Sequence, residues 1–275
     1  MKKHASQSIS ACLVIYNEEA VLDRCLASLK GVDEIIVVHD GPCGDSSLEI
    51  ARRYTNNVFV KPHVGIGEPY RVFAMEQATG SWILQVDADE FLSDELRAAL
   101  PSLVADAKVD AYAMVWPFWN GQKYYTKNWP FKPILFRTSK LSFLGFPQEP
   151  LRTSGLLKNS LLVLEHRPKY YNLTWKRVST KWMAWAHIQA RYCLMPYDSI
   201  LKFKINDTDW TPKFRLARDH AYLFPLIGLY CGLTTLVSGG WHQGLVGWKQ
   251  SLFWGYYNAA VYYWIFYYQR HPESA

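Results

Sequence analysis

Ile9-Ser10-Ala11-Cys12-Leu13-Val14-Ile15-Tyr16-Asn17-Glu18-Glu19 is the stretch from which the fold can be read. The nearly unbroken apolar run from Ile9 to Ile15 predicts a short strand covered on both faces, because a strand with one wet face would alternate. A helix is expected at once: Asn17 is a capping residue, Glu18 and Glu19 suit the positive end of a helix, and Gly31 stops it. Val21, Leu22, Cys25, Leu26 and Leu29 recur at helical spacing and form its buried stripe. A strand feeding directly into a helix is the opening unit of a parallel sheet.

Moving outward, the unit repeats. Glu34 to Val38 reads as a second strand, Ser46 to Tyr54 as a helix and Val58 to Val60 as a third strand. Glu68 to Thr79 reads as a helix broken by Gly80, and Trp82 to Val86 as a fourth strand. Ser93 caps a helix to about Ala107, and Ala111 to Val115 returns as strand. This alternation predicts an α/β fold with a mostly parallel sheet flanked by helices, whose ligands bind beyond the carboxyl ends of the strands. From about Trp116 the pattern loosens into Trp-, Pro- and Lys-rich segments that read as loops. Tyr171 to Tyr192 is helical again, and the uncharged stretches Tyr222 to Trp241 and Ser251 to Gln269 differ in kind from the rest. The expected division is 1–115 and 116–170 as two halves of one domain, followed by 171–275 as a helical, aromatic-rich C-terminal extension.

Composition bounds the function. The 275 residues are 49% hydrophobic and 20% charged, which is globular and far from disordered. A net charge of +6 suits an anionic small molecule or phospholipid headgroups, and no nucleic-acid partner is expected. Five scattered cysteines without a Cys-x-x-Cys pair argue against a disulfide framework or a zinc site and for a reducing compartment. No apolar leader follows the basic start, so a cytoplasmic-side protein is expected. The aromatic fraction, 16% with 12 Trp and 18 Tyr, is the anomaly; sugar stacking, a membrane interface and plain packing all produce it.

Acidic residues stand at two strand ends: Asp40 after Ile35 to His39, and Asp87-Ala88-Asp89-Glu90 after Trp82 to Val86. The topology brings both to one edge, where gathered carboxylates repel one another unless a cation neutralises them. Mn2+ or Mg2+ would do so while bridging the oxygens of a diphosphate. On an extended segment residues 87 and 89 point the same way, so one can hold the metal while the other reaches its shell or a ribose.

These segments together resemble the family-2 glycosyltransferases with the GT-A fold. Ile9 to Glu19 is similar to their opening strand and Tyr-Asn-Glu-Glu turn, Val37-Val38-His39-Asp40-Gly41 to their Val-Asp-Asp-Gly element, and Ala78 to Leu84 followed by Asp87 to Glu90 to their Asp-x-Asp segment. The resemblance implies that Val14 and Tyr16 line a base pocket, that Asp40 contacts the nucleobase, and that Asp87 meets the ribose or metal shell. It implies Asp89 as the direct metal ligand, with Glu18 and Arg71 on the donor side. Trp129 to Arg137, Phe146-Pro147-Gln148-Glu149, Leu164-Glu165-His166 and Gly239 to Gly247 look like the lipopolysaccharide-core branch, which implies a lipid-linked or cell-surface glycan acceptor and a UDP-sugar as first choice of donor.

Inverting transfer also needs a base, for which Glu149, set between two prolines, is the candidate; a structural salt bridge to Arg152 or Arg137 is the other reading. His166 either completes the metal shell or sits hydrogen-bonded in the core. Trp116, Trp119 and Trp129 stack on sugar rings or simply pack. The C-terminal stretches, rich in Gly, Tyr and Trp and flanked by Lys and Arg, suit helices lying in the headgroup region of the inner membrane's cytoplasmic face better than full spans. Two other readings compete: a sugar-1-phosphate nucleotidyltransferase, which would carry a glycine-rich phosphate loop where Tyr16 to Glu19 stands, and a non-catalytic nucleotide-sugar-binding or scaffold module.

Overall fold

The computed structural model describes residues 7–119, 124, 130–171, 173–205 and 211–274, with the side chains of 211–214 left aside. Two compact units are present, one of residues 1–124, 129–169 and 202–205, the other of 125–128, 170–201 and 206–275.

The first unit holds the sheet. Its strands are β1 (Ile9–Ile15), β2 (Glu34–Asp40), β3 (Val58–Lys61), β4 (Trp82–Gln85), β5 (Glu90–Leu92), β6 (Ala111–Val115), β7 (Phe131–Arg137) and β10 (Leu157–His166), in the order β3-β2-β1-β4-β7-β6-β10-β5. β8 (Leu141–Leu144), β9 (Arg152–Thr153) and β11 (Lys202–Phe203) make a small second sheet. Helices α1 (Glu19–Ser28), α2 (Ser47–Arg52), α3 (Glu68–Gln77) and α4 (Asp94–Ala105) connect the strands. The pairings β1–β2, β2–β3, β1–β4 and β6–β10 are parallel. β7 runs antiparallel between β4 and β6, and β5 antiparallel on β10. The α/β architecture expected from the alternation is therefore present, with antiparallel joints in its second half.

The chain proceeds from β1 through β2 to β3 on one side and then resumes at β4 on the other side of β1. The gap between the carboxyl ends of β1 and β4 is thus a topological switch point, the place where an open α/β sheet leaves room for a ligand. β1 is apolar apart from Ser10 because both faces are covered, with Ala11, Leu13 and Ile15 against α1 and α4 residues in one core and Cys12 in the other.

Several local expectations need correction. Asn17 does not cap α1; it adopts φ +52° and its Oδ1 accepts from Gly44 N–H at 2.9 Å, so the β1–α1 turn is tied to the loop after β2. Ser93 does cap α4, its Oγ accepting from Leu96 N–H at 3.1 Å. The segment after Trp116 contains β7, β8 and β10 where loops were expected. β7 contains Pro133, which has no N–H for a ladder and lies beside the irregularity in the pairing of β7 with β6.

Gly80 is needed for close approach: a Cβ there would stand 2.6 Å from Ser10 Oγ and 2.8 Å from Ser10 N. Gly80→Ala should destabilise the fold by about 1–3 kcal/mol through this overlap. Chemical denaturation measures it, and an unchanged midpoint would mean that β1 and the α3–β4 turn can separate freely.

The second unit is helical: α5 (Trp175–Arg177), α6 (Met183–Leu194), α7 (Thr211–Asp219), α8 (Phe224–Val237) and α9 (Leu245–Arg270). The helix expected over 171–192 is interrupted by a π-helical turn at Val178–Trp182. Phe253, Tyr257, Val261, Ile265 and Tyr268 of α9 are buried, with Tyr257 donating to Gln189 Oε1 at 2.6 Å.

Candidate active site

The sheet puts the acidic residues at one edge. Ile15 of β1 is in register with His39 of β2, and Cys12 with Gln85 of β4, so both neighbouring strands end on the side where β1 runs into Tyr16. Asp40 and Asp87 lie on opposite sides of β1, two strand spacings apart or roughly 10 Å.

Asp40, the last residue of β2, is buried and turned toward the loop after β3. Its Oδ1 accepts from Val64 N–H at 2.7 Å, its Oδ2 from Gly65 N–H at 3.0 Å, and His63 Nδ1 lies 3.3 Å from Oδ2. His39 replaces the acid that the family pattern carries there and serves as a tie: Nδ1 meets Gly41 O at 2.8 Å and Nε2 faces Asn17 N–H at 3.4 Å. One donor and one acceptor match a neutral imidazole. Tyr16 is exposed beside these rings, 4.7 Å from His63 and 5.9 Å from His39 between centroids, offering a flat face at the end of β1. Val14 lies next to Gly67 at the start of α3. Glu18 pairs with Lys169 at 3.1 Å, and Lys169 also donates to Asn17 O at 2.7 Å.

The Asp87–Glu90 segment is a tight turn, not the extended piece the spacing suggested. Glu90 N–H donates to Asp87 O, and Asp87 N–H donates to Glu90 Oε2, both at 2.9 Å. The turn makes the two aspartates diverge. Asp87 accepts from Arg71 at 2.7 Å, from Lys132 at 2.8 Å and from Gln85 at 3.1 Å. Asp89 instead faces His166, with Oδ2 to Nε2 at 3.6 Å.

Glu90 is 0% exposed and is the hub. Its Oε1 accepts from Lys132 Nζ at 2.5 Å and from Trp116 Nε1 at 2.7 Å. Trp116 in turn stacks on His166, centroids 4.4 Å apart, so the indole fixes the imidazole that looks at Asp89. Trp116 is therefore committed to the protein on that face and edge. Trp119 packs edge-on against Tyr124, with Arg167 4.7 Å above its ring. Trp129 lies outside the described residues.

The electrostatics follow from this wiring. Burial pushes Asp87 up, but Lys132 and Arg71 outweigh it and hold its pKa far below the usual carboxylate range. Burial raises Glu90, aided by Asp87 and Asp89 and opposed by Lys132. Lys132 and Arg71 both stay above their ordinary values because Asp87, with Glu90 or Glu68, outweighs burial. The cation that resolves the repulsion at Asp87 and Glu90 is thus the Lys132 ammonium. Sequence reasoning missed Lys132; its signal was a single charge in the apolar run Phe131 to Phe136.

Glu149 sits in the turn after β8, where its carboxylate pairs with Arg152 at 2.8 Å. The turn is fastened to the start of α3, Gln148 N–H donating to Glu68 Oε1 at 3.0 Å with Gln148 at φ +63°.

Among the described residues no group of three or more His, Cys, Asp or Glu side chains is placed to hold a metal ion. Asp89 and His166 offer a carboxylate and an imidazole facing each other, a donor set that fits a divalent ion taking the rest of its shell from a diphosphate. Arg71 Nε is buried without a hydrogen-bond partner, a donor left over beside Asp87.

Residues 10–157, more than half of the chain, match the family model described as glycosyl transferase family 2. The chain belongs to that family. Its relatives include a Rickettsia typhi protein described as an uncharacterized glycosyltransferase, 33% identical over 107 residues, which are 38% of this chain and 36% of that one. The lipopolysaccharide core biosynthesis glycosyltransferase LpsC of Rhizobium meliloti is 35% identical over 103 residues, 35% of this chain and 37% of LpsC. The chain thus matches less than two-fifths of the length of these curated relatives. Among solved structures, the mannosyltransferase PcManGT from Pyrobaculum calidifontis in complex with GDP-Man and Mn2+ is similar at 14% identity and TM-score 0.48, over 94% of this chain and 87% of that one. With β1, β2 and β4 delivering the acidic residues to one edge, the first unit of this family-2 chain has the GT-A architecture.

Proposed function

We propose that this family-2 chain is an inverting glycosyltransferase that moves a sugar from a nucleoside diphosphate, uridine first, to a hydroxyl of a lipid-linked or cell-surface glycan at the cytoplasmic face of the inner membrane. The observation that carries the reading is the turn Asp87–Glu90 at the switch point, with Asp89 and His166 left facing each other while Asp87 and Glu90 are neutralised from within.

In this reading Tyr16 offers its exposed ring to the base, Val14 flanks it, and Asp40 shapes the pocket by holding the 63–65 loop as well as meeting the base. Arg71 approaches the donor through its unpartnered Nε, and Glu18 keeps the β1–α1 turn in place through Lys169. Asp89 and His166 would hold Mn2+ or Mg2+, which when bound stabilises the negative charge of the departing diphosphate. Glu149 would take the acceptor proton after exchanging Arg152 for the hydroxyl. Glu90 is closed to substrate and acts by positioning Lys132, Trp116 and the Asp87 backbone. Trp119 and Trp129 are the aromatic candidates for the acceptor sugars.

A thermal-shift screen of nucleotide sugars with and without Mn2+ tests the donor half. One UDP-sugar should stabilise selectively in the presence of Mn2+, by about 2.7 kcal/mol at a hundredfold excess over its Kd. Release of free nucleoside diphosphate on adding acceptor then separates an enzyme from a binding module. A chain that no nucleotide sugar stabilises, with or without metal, would not be a transferase of this kind.

A further inference from the structure

The second unit presents an apolar face that none of that unit's described residues covers. Leu229, Leu233 and Val237 stand on one side of α8, and Leu245, Trp248 and Leu252 on one side of α9. Exposure peaks toward the turn between them, 74% at Val237 and 89% at Leu245. The spacing is helical on both elements, so this is a surface built by two helices and not a scatter of single residues.

The interior of the hairpin explains why the bulk lies outside. α8 and α9 meet through glycine: a Cβ on Gly228 would stand 2.6 Å from Ala259 Cβ, and one on Gly255 would stand 2.6 Å from Gly228 O. Such a seam lets the backbones approach closely and leaves no room between them for large side chains. Meanwhile α9 spends its Phe253, Tyr257 and Val261 face inward. The outer face is what remains.

We infer that this face of the α8–α9 hairpin is a docking surface for an anionic lipid bilayer, into which the turn end inserts to the depth of the headgroup and acyl boundary. Three observations favour lipid over a second copy of the chain. From His220 to Pro272 there is no Asp or Glu, while Lys249 and His242 are exposed beside the apolar residues; a protein interface is rimmed by both signs, a bilayer of anionic lipids asks for one. Several polar groups of the face are satisfied locally, as hydrocarbon demands. Around the turn, Ser238, Gly239, His242 and Gly244 N–H donate to carbonyls of 234, 236, 239 and 241, and the hydroxyls of Thr234, Thr235 and Ser251 donate to carbonyls of their own helices. Tyr222, Tyr230, Trp241 and Trp248 are exposed as well, the ring types that settle at an interface.

The depth is limited. α8 has 14 residues, about 21 Å of helix against roughly 30 Å of hydrocarbon, and among the described residues no helix is long and apolar enough to cross a membrane. The inference rests on the membrane-surface part of the proposed function and not on its chemistry.

Sedimentation of the full chain with vesicles of phosphatidylethanolamine and phosphatidylglycerol at about 3:1 tests it. The wild-type chain should pellet with the vesicles, and the double variant Leu229→Glu, Leu245→Glu should partition at least about tenfold less, since it places two charges where apolar side chains insert. Leu161→Glu is the control, a leucine 84% exposed in the first unit, and should sediment like wild type. Lys249→Ala should weaken binding by about fivefold, the share of one basic residue at an anionic surface. Wild-type chain left in the supernatant, a double variant that pellets like wild type, or a solution dimer split by the same two substitutions would each overturn the inference. Stabilisation by UDP and Mn2+ in lipid-free buffer is read on the same proteins. It should be equal in wild type and double variant, so failure of nucleotide binding and failure of lipid docking appear separately.

Discussion

Lys132→Met should destabilise the first unit by about 3 kcal/mol at neutral pH and by much less near pH 4.5, when measured by urea denaturation with chelator present. Lys132 bridges Asp87 and Glu90, bonding them at 2.8 and 2.5 Å, with Glu90 wholly buried. Removing it leaves a buried carboxylate without its counter-charge, which costs more than the pair itself contributes. The pH dependence has a definite sign. Burial, Asp87 and Asp89 already raise Glu90, and Lys132 is the largest group opposing them, so without the ammonium its folded pKa climbs further above the unfolded value. A carboxyl raised in the folded state favours folding when protonated and opposes it when ionised. The deficit is therefore full at neutral pH and shrinks as pH falls through the raised folded value toward the ordinary one. Lys132→Arg keeps the charge and should lose less. A deficit that is the same at both pH values would assign the effect to lost packing and remove Lys132 from the charge balance of the site.

How far the sequence discloses this site depends on which interactions are local. β1 and β2 were legible because burial on both faces leaves an apolar run with no alternation, and Asp40, Asp87 and Asp89 were legible as strand-end acids because a parallel sheet sends such residues to one edge. What each carboxylate meets was not legible. Asp87 meets Lys132 forty-five residues on, and Trp116 meets Glu90 across 26, through pairings of β7 and β10 that the Trp-, Pro- and Lys-rich composition concealed. Pro133 belongs to that composition, and the strand that holds it pairs irregularly with β6. Asn17 misled, since its capping chemistry was spent on Gly44 rather than on α1. The direction of Asp89 depended on the 87–90 turn, whose closing hydrogen bonds come from Glu90, a residue that reads in the sequence as one more acid beside the motif.

Asp89→Ala should cut sugar transfer by about a thousandfold, roughly 4 kcal/mol of transition-state stabilisation, while leaving the melting temperature almost unchanged. The two halves of that expectation have different grounds. Stability is spared because Asp89 is partly open to solvent and its carboxylate meets His166 only at 3.6 Å, whereas Asp87, open to a similar degree, is held by Arg71 and Lys132, and the buried Glu90 by Lys132 and Trp116. Activity is not spared because, in the proposed function, this is the carboxylate left to share a divalent ion with the leaving diphosphate. His166→Ala makes the useful contrast. It removes the second ligand but also the ring stacked on Trp116, so it should lower both turnover and melting temperature. Asp87→Asn should differ again: Arg71 and Lys132 lose their shared partner, and stability falls before any question of catalysis arises. The pattern, and not any single loss, separates a metal-holding carboxylate from a structural one. Steady-state release of nucleoside diphosphate in Mn2+, paired with thermal melts of the three variants, reads it directly. If Asp89→Ala keeps its turnover, or if chelation leaves the wild-type rate untouched, the ion has no place at Asp89 and the charge on the leaving group must be met by Arg71 and Lys132 instead.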